Sequence, residues 1–233
     1  MIKKYLEKLY KSAETHKEEK LKRVLSNIPN GGILLDVGCW DGKKTLMWTK
    51  SFKAQKTLGL DILKDGIRNA RKKGIEAYVC NIDNGKWPIK NNSVDCVFSN
   101  LVIEHLSNVD NFISESHRVL KKGGYTIVCT NNLSSWHNII CLLFGWAPFD
   151  LTNSSKKNWS IGNPFVLHKN EMSEYENSFT HKCVYTIKWL KDWYSFYKFK
   201  IVKTEGTGYY PLPNFIGKID KTHAAYMILI FKK

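Results

Sequence analysis

The sequence predicts an α/β fold in which a mostly parallel sheet carries helices on both faces. Three observations point to it. In the run Ile33–Gly42, ILLDVGCWDG, an apolar stretch ends in an acidic residue and two glycines and passes at once into a helical pattern. A second short apolar run, LGLDI, ends in Asp61 about 20 positions after the glycine turn, the spacing at which such folds place a ribose-binding carboxylate. Short apolar runs then keep alternating with helical periodicity along most of the chain.

In chain order, Ile2, Leu6, Leu9 and Ala13, then Leu21, Val24, Leu25 and Ile28, recur at helical spacing until Pro29-Asn30-Gly31-Gly32 stops them, which gives one or two lead-in helices. Strand one is expected at Ile33 to Val37, followed by a helix from Lys43. Strand two ends at Asp61, and a helix with Ile67 and Ala70 inward closes at Gly74. Tyr78 to Cys80 reads as strand three and Val94 to Phe98 as strand four. The next helix is expected to begin with Ser107 and Asp110 in capping-box spacing, to bury Val109, Phe112, Ile113 and Leu120, and to stop at Gly123. Tyr125 to Cys129 makes strand five. From Asn131 to His181 the chain is rich in Asn, Ser and Trp without sustained periodicity, as in a lid or binding element. Its part Leu133 to Phe149 has the composition of an interfacial helix, but packing over the pocket is the preferred reading. A helix around Ile187, Leu190 and Tyr194 follows, then two closing strands, Phe199 to Thr204 and His223 to Phe231.

The 233 residues fit a single domain, 1–233, with 1–30 as lead-in and 131–183 as inserted lid. No apolar stretch approaches the ~20 residues that span a bilayer. The N-terminus reads as a charged helix rather than a signal peptide, so a cytoplasmic address is expected. Six cysteines without a C-x-x-C pair read as reduced, structural thiols. A net charge of +15 invites nucleic acid, a membrane surface or an anionic substrate as partner. The lysines are spread along the chain and interleaved with acids, which disfavours a dedicated nucleic-acid module.

The glycine turn narrows the ligand. A dinucleotide fingerprint begun at Gly38 would need glycines where Trp40 and Lys43 stand, and a P-loop would need a longer glycine gap and Ser or Thr in place of Lys44. What remains is a turn that admits a ligand without phosphates, with Asp36 offering a carboxylate to a cationic or hydroxyl-bearing group.

DVGCWDG, with Gly38 and Gly42 kept and Trp40 at the middle glycine, resembles the first motif of the class I S-adenosylmethionine-dependent methyltransferases, and S-adenosylmethionine meets both requirements of the turn. Four further segments in order strengthen the resemblance: LGLDI, CNIDNGKWPI, VDCVFSNLVIEHL and HRVLKKGGYTIVCT. It covers Ile33 to Thr130 and implies a Rossmann-like, seven-stranded, mostly parallel sheet with an antiparallel C-terminal strand and an inserted lid. It further implies a cofactor site made of Asp36, Gly38, Cys39, Trp40 and Gly42, of Asp61 and Ile62 at the ribose, of Asn81, Ile82 and Asp83 at the adenine, and of Asn100 and Leu101 beside the transferred methyl.

The small-molecule, quinone-biosynthesis-like branch is the nearest match in pattern. It implies O-methylation of a small molecule, a sugar or a lipid-linked precursor, with His105 near the cofactor and His181 at the substrate entrance as candidate bases. Tyr209, Tyr210 and Trp159 are candidates to line that site or to pack beside it. Glu104 beside His105 raises a metal, but adjacent residues diverge on a regular element and no other cluster is spaced to complete a shell, so no metal is assigned. Two alternatives stay open: an RNA methyltransferase, and a non-catalytic cofactor-binding regulator, motivated by Trp40. Neither an Asn/Asp-Pro-Pro-Tyr run after strand four nor a Pro-Cys nucleophile is present for nucleobase chemistry.

Overall fold

The computed structural model describes residues 2–29, 31–154, 161–166, 180–209 and 214–233. Its element order is α1 (Ile2–Asn27), β1 (Ile33–Val37), α2 (Lys43–Phe52), β2 (Lys56–Asp61), α3 (Lys64–Lys72), β3 (Glu76–Val79), β4 (Val94–Asn100), α4 (Val109–Val119), β5 (Leu120–Asn131), α5 (Trp136–Leu143), α6 (Ile187–Phe196), β6 (Lys200–Thr207) and β7 (Tyr226–Lys232). Short 3-10 turns at Ile103–His105, Phe149–Ser154 and Asn214–Lys218 complete it. The seven strands form one sheet in the order β3-β2-β1-β4-β5-β7-β6. All neighbours are parallel except β7, which runs antiparallel to both β5 and β6.

Strand alternation explains how the sheet binds both helical layers. Leu34, Cys96, Phe98, Ile127 and Ile228 pack with Ala13, Leu25 of α1 and Trp48, Phe52 of α2. Leu35, Val97, Val128, Leu229 and Phe231 face the other way, onto Phe112 and Ile113 of α4 and Tyr194 of α6. Chain order reverses between β1 and β4, both of which start crossovers to opposite sides, so a crevice opens past their C-terminal ends.

The lead-in is one helix, within the one or two expected, and most other expectations hold within a few residues, while strand three and both ends of α4 need correction. Strand three lies at Glu76–Val79, with Cys80 N–H donating to the Asp61 carbonyl just past it. The cap of α4 is Asn108, whose side chain accepts the Asn111 N–H at 3.0 Å; Ser107 stands one residue too early and its own N–H goes to Asp83. That helix ends at Val119, and Leu120 already pairs with Val94 in the sheet. All six cysteines are free thiols.

Candidate active site

Because Leu34 points toward α2, so does Asp36, two residues on. It is buried, and Thr45 Oγ1 of α2 donates to its Oδ2 at 2.7 Å. Burial raises its pKa to about 7; the Asp61 charge adds to the rise and the Thr45 bond opposes it. Past the strand, the N–H groups of Gly38 and Cys39 both donate to the Leu60 carbonyl, at 2.8 and 3.1 Å, locking the turn to β2. Gly38 has φ 82°, and a Cβ there would lie 2.4 Å from Val102 Cγ2, so a side chain is excluded by both backbone and space. Gly42, at φ 78°, is equally confined by Ile75 and Ala70.

Trp40 stands in the left-handed region at φ 44°, the conformation for which a glycine is expected. Asp61 offsets that strain. Its Oδ2 accepts the Trp40 N–H at 2.8 Å and its Oδ1 the Leu63 N–H at 2.9 Å. Burial pushes the Asp61 carboxyl up, against those backbone bonds. The Trp40 ring is about half exposed and lies along Gly66 rather than filling the crevice.

A cavity of about 420 Å³ opens here, lined by Asp36, Gly38, Cys39, Trp40 and Asn100, with Lys43, Lys44, Met47 and Trp48 of α2, Asp41 and, from α1, Glu18. Lys44 Nζ meets Glu18 Oε1 at 2.6 Å on its wall. Asn100 Oδ1 is buried with no hydrogen-bond partner among the described residues, an acceptor left for a ligand. Glu18 has no signal in the sequence, because its helix lies about 20 residues upstream of the motif; Lys43, Lys44 and Thr45 follow the glycine turn directly but match no phosphate-binding pattern there.

The other candidates lie outside that cavity. Gly42 supports the turn from behind, and Ile62 is half exposed beyond Asp61. Asn81 is exposed, whereas Asp83 Oδ1 accepts the N–H groups of Ser107 and Asn108 at 2.8 and 3.1 Å and so holds the start of α4. The Ile82 carbonyl accepts Asn111 Nδ2 at 3.0 Å. Leu101, at φ 57°, donates its N–H to the Cys129 carbonyl. Tyr209 is buried, with its hydroxyl on the Asp220 carbonyl, and packs rather than lines the site; Tyr210 and Trp159 lie outside the described residues.

A second cluster forms past β4. The Glu104 carbonyl accepts the N–H groups of Lys182 and Cys183, at 2.8 and 3.3 Å, which carries His181 to His105: the rings are 4.8 Å apart, edge to face. His105 Nδ1 lies 3.2 Å from the Thr180 carbonyl and His181 Nδ1 bonds the Asp150 carbonyl. A carbonyl can only accept, so both rings carry a proton on Nδ1; in a neutral ring Nε2 is then the basic nitrogen. Burial pushes the His105 pKa down, with the neighbouring His181 and Lys182 acting the same way and Glu104 against them. Glu104 is fully buried: Oε2 accepts the Thr130 hydroxyl at 2.9 Å and Oε1 has no hydrogen-bond partner.

Glu104, His105 and His181 each place a ligand atom within 4.8 Å of the others. One carboxylate and two imidazoles are a donor set that suits a transition metal. The expectation that nothing would join Glu104 and His105 is therefore corrected, since the fold supplies a third donor from 76 positions further along.

Comparison with known proteins bears on this geometry. A family model described as a methyltransferase domain matches residues 35–128. Malonyl-[acyl-carrier protein] O-methyltransferase of Hamiltonella defensa is 28% identical over 102 residues, which cover 44% of this chain and 39% of that protein. A tRNA (carboxymethyluridine(34)-5-O)-methyltransferase of Arabidopsis thaliana is 29% identical over 136 residues, 54% of this chain and 32% of its own length. Demethylmenaquinone methyltransferase of Tropheryma whipplei is 30% identical over 101 residues, 42% and 41% of the two chains. The chain thus spans less than half the length of these relatives. In three dimensions it is similar to an S-adenosylmethionine-dependent methyltransferase of Mesorhizobium loti, with TM-score 0.62 and 14% identity over 95% of this chain and all of the other. A second such structure, from Archaeoglobus fulgidus, gives TM-score 0.61 and 16% identity over 95% and 94%. Sheet order, the glycine turn with its downstream carboxylate, and the match over residues 35–128 agree: that segment matches a methyltransferase-domain model, and the chain has the fold of the S-adenosylmethionine-dependent methyltransferase structures it is similar to.

Proposed function

We propose that this chain methylates an oxygen of a small molecule, a sugar or a lipid-linked precursor, with residues 1–233 acting as one unit and residues 131–183 forming the acceptor wall. What supports the reading is the His105–His181 pair past the C-terminal end of β4, the rings 4.8 Å apart and each with Nδ1 on a backbone carbonyl.

The residues present fit the cofactor. Asn100 Oδ1 is an unmet acceptor on the cavity wall, and acidic Asp36 and Glu18 stand with Lys43 and Lys44, matching an ammonium and a carboxylate. Asp61 would hold the ribose hydroxyls beside Ile62, and Asn81 the adenine amine along Ile82, since Asp83 is engaged at α4. Gly38, Cys39, Trp40 and Gly42 shape the floor, and Leu101 borders the methyl end. When bound, S-adenosylmethionine supplies an electrophilic methyl whose C–S bond breaks as the acceptor O–C bond forms.

The chain has two tasks in that displacement: to align the acceptor oxygen and to take its proton. His105 is suited to the second, because its depressed pKa keeps it neutral at neutral pH. His181 would steer the acceptor from the entrance. Two of the three relatives are named for transfer to oxygen, which supports the same acceptor atom.

The test is incubation with methyl-labelled cofactor and three acceptor pools: hydroxylated small molecules and sugars, a lipid extract, and total RNA. Label in the first or second pool, lost in His105→Gln, is expected. Label confined to RNA would establish the nucleic-acid reading instead, and cofactor binding without turnover on any pool would favour a regulator.

A further inference from the structure

Helix α5 is amphipathic the wrong way round for a helix that packs on a core. Its buried face is His137, Asn138 and Cys141, while Trp136, Ile140, Leu143 and Phe144, at spacings 0, 4, 7 and 8, form an exposed stripe. Leu143 is 79% and Phe144 67% exposed. The inward polar face is hydrogen-bonded: Asn138 Nδ2 donates to the Asn132 carbonyl at 3.0 Å and to Asp150 Oδ2 at 2.7 Å, and His137 Nε2 lies 3.4 Å from the same carboxylate, while Asn138 Oδ1 has no hydrogen-bond partner among the described residues. The orientation is therefore fixed by hydrogen bonds.

The apolar face continues beyond the helix. Phe144 stacks on Trp146 with ring centroids 5.1 Å apart, Trp146 meets Phe165 at 5.1 Å, and Phe165 and Ile161 are themselves mostly exposed. On the other side Trp136 Nε1 donates to Asp220 at 2.9 Å, next to Ile219, which is 85% exposed. This is a contiguous apolar and aromatic strip of the kind that is not left in water.

We propose that this strip seats the chain on an anionic lipid surface. Charge selects that occupant. From Leu133 to Phe149 there is no Asp, Glu, Lys or Arg, Lys218 and Lys221 bracket Ile219 and Asp220 in sequence, and the chain has net charge +15. An uncharged aromatic wedge on so basic a chain suits a bilayer interface with negative headgroups. A second copy of so basic a chain would be repelled. No helix among the described residues is long and apolar enough to cross a membrane, so the contact is peripheral. Asp150 joins the inner face of α5 to His181, which places the docked strip next to the proposed acceptor side. The surface does not depend on which acceptor is methylated.

The test is co-sedimentation with vesicles of equimolar phosphatidylglycerol and phosphatidylcholine against phosphatidylcholine alone. The wild type should partition at least ~10-fold more strongly into the anionic vesicles, and the double variant Leu143→Glu/Phe144→Glu should lose at least ~10-fold of that partitioning. S-adenosylhomocysteine binding and melting temperature of the variant should stay as in wild type, which separates this claim from the methyltransferase reading. Hydrogen exchange on the wild type gives an independent readout should the variant misfold: vesicles should protect the amides of 136–146. Absence of vesicle binding by the wild type, retained binding by a folded double variant, protection elsewhere only, or a wild-type dimer that the double variant dissociates would each overturn it.

Discussion

The two sides of the active-site crevice are built in different ways. On the cofactor side, Asp36, Gly38, Trp40 and Asp61 lie within 26 consecutive residues and are joined by backbone bonds of β1, β2 and the turn between them. On the proposed acceptor side, Glu104, Thr130, Asp150 and His181 come from four separate segments and meet through side chains and loop carbonyls. Local construction yields a site with little freedom, whereas one assembled from distant segments can vary its contents without disturbing the sheet. The family match includes Glu104 but ends at residue 128, before Thr130, Asp150 and His181.

The contrast can be broken first on the acceptor side, where the largest effect is expected. His105→Gln should lower kcat by roughly a thousandfold, within the range for loss of a general base, and leave cofactor affinity unchanged. In the wild type, kcat should rise with pH through an inflection below the ordinary histidine value, because burial favours the neutral, proton-accepting ring, and be flat at neutral pH. An unchanged kcat in steady-state assays would detach the histidine from the chemistry.

On the cofactor side the expected damage is to the scaffold. Gly38→Ala combines a positive φ with a Cβ 2.4 Å from Val102 Cγ2. Strain and overpacking together should cost about 3 kcal/mol in denaturant unfolding. The companion change Val102→Ala should return part of it.

The smallest effect concerns Asp36. Its folded pKa of about 7 exceeds the unfolded value of 3.8, so the folded state holds the proton longer, and the stability this contributes at low pH is lost as pH rises through 7. Asp36→Asn keeps an acceptor for Thr45 and no charge. Its stability relative to wild type should therefore improve by on the order of 2 kcal/mol between about pH 5 and about pH 8. A constant difference across that range would show that the carboxylate is not desolvated.

What the sequence disclosed follows the same division. Strand and helix order, the turn at Gly38 and the acidic end of strand two at Asp61 are visible because each depends on residues a few positions apart, or on one fixed crossover length, whereas the hold of Asp61 on the Trp40 N–H is not. The meeting of His181 with Glu104 and His105 is not visible, since it is fixed by the Lys182 N–H on the Glu104 carbonyl, a backbone bond with no residue signature. The orientation of α5 is hidden from the sequence for a related reason. Its apolar composition suggests packing inward, but Asp150 gathers Asn131, His137 and Asn138 and turns the polar side to the protein. Trp40 is the opposite case, an apparent defect in the motif that proves tolerable once its N–H is seen on Asp61.

The central claim is that the bend after β1, fastened by Asp61, receives S-adenosylmethionine. Calorimetric titration of the full chain with S-adenosylhomocysteine tests it most directly. Wild-type protein should bind in the micromolar range, and Asp61→Ala, which strips the carboxylate from two backbone donors and from the ribose, should bind about 100-fold more weakly. No heat from the wild type, or equal affinity in the two proteins, would contradict it.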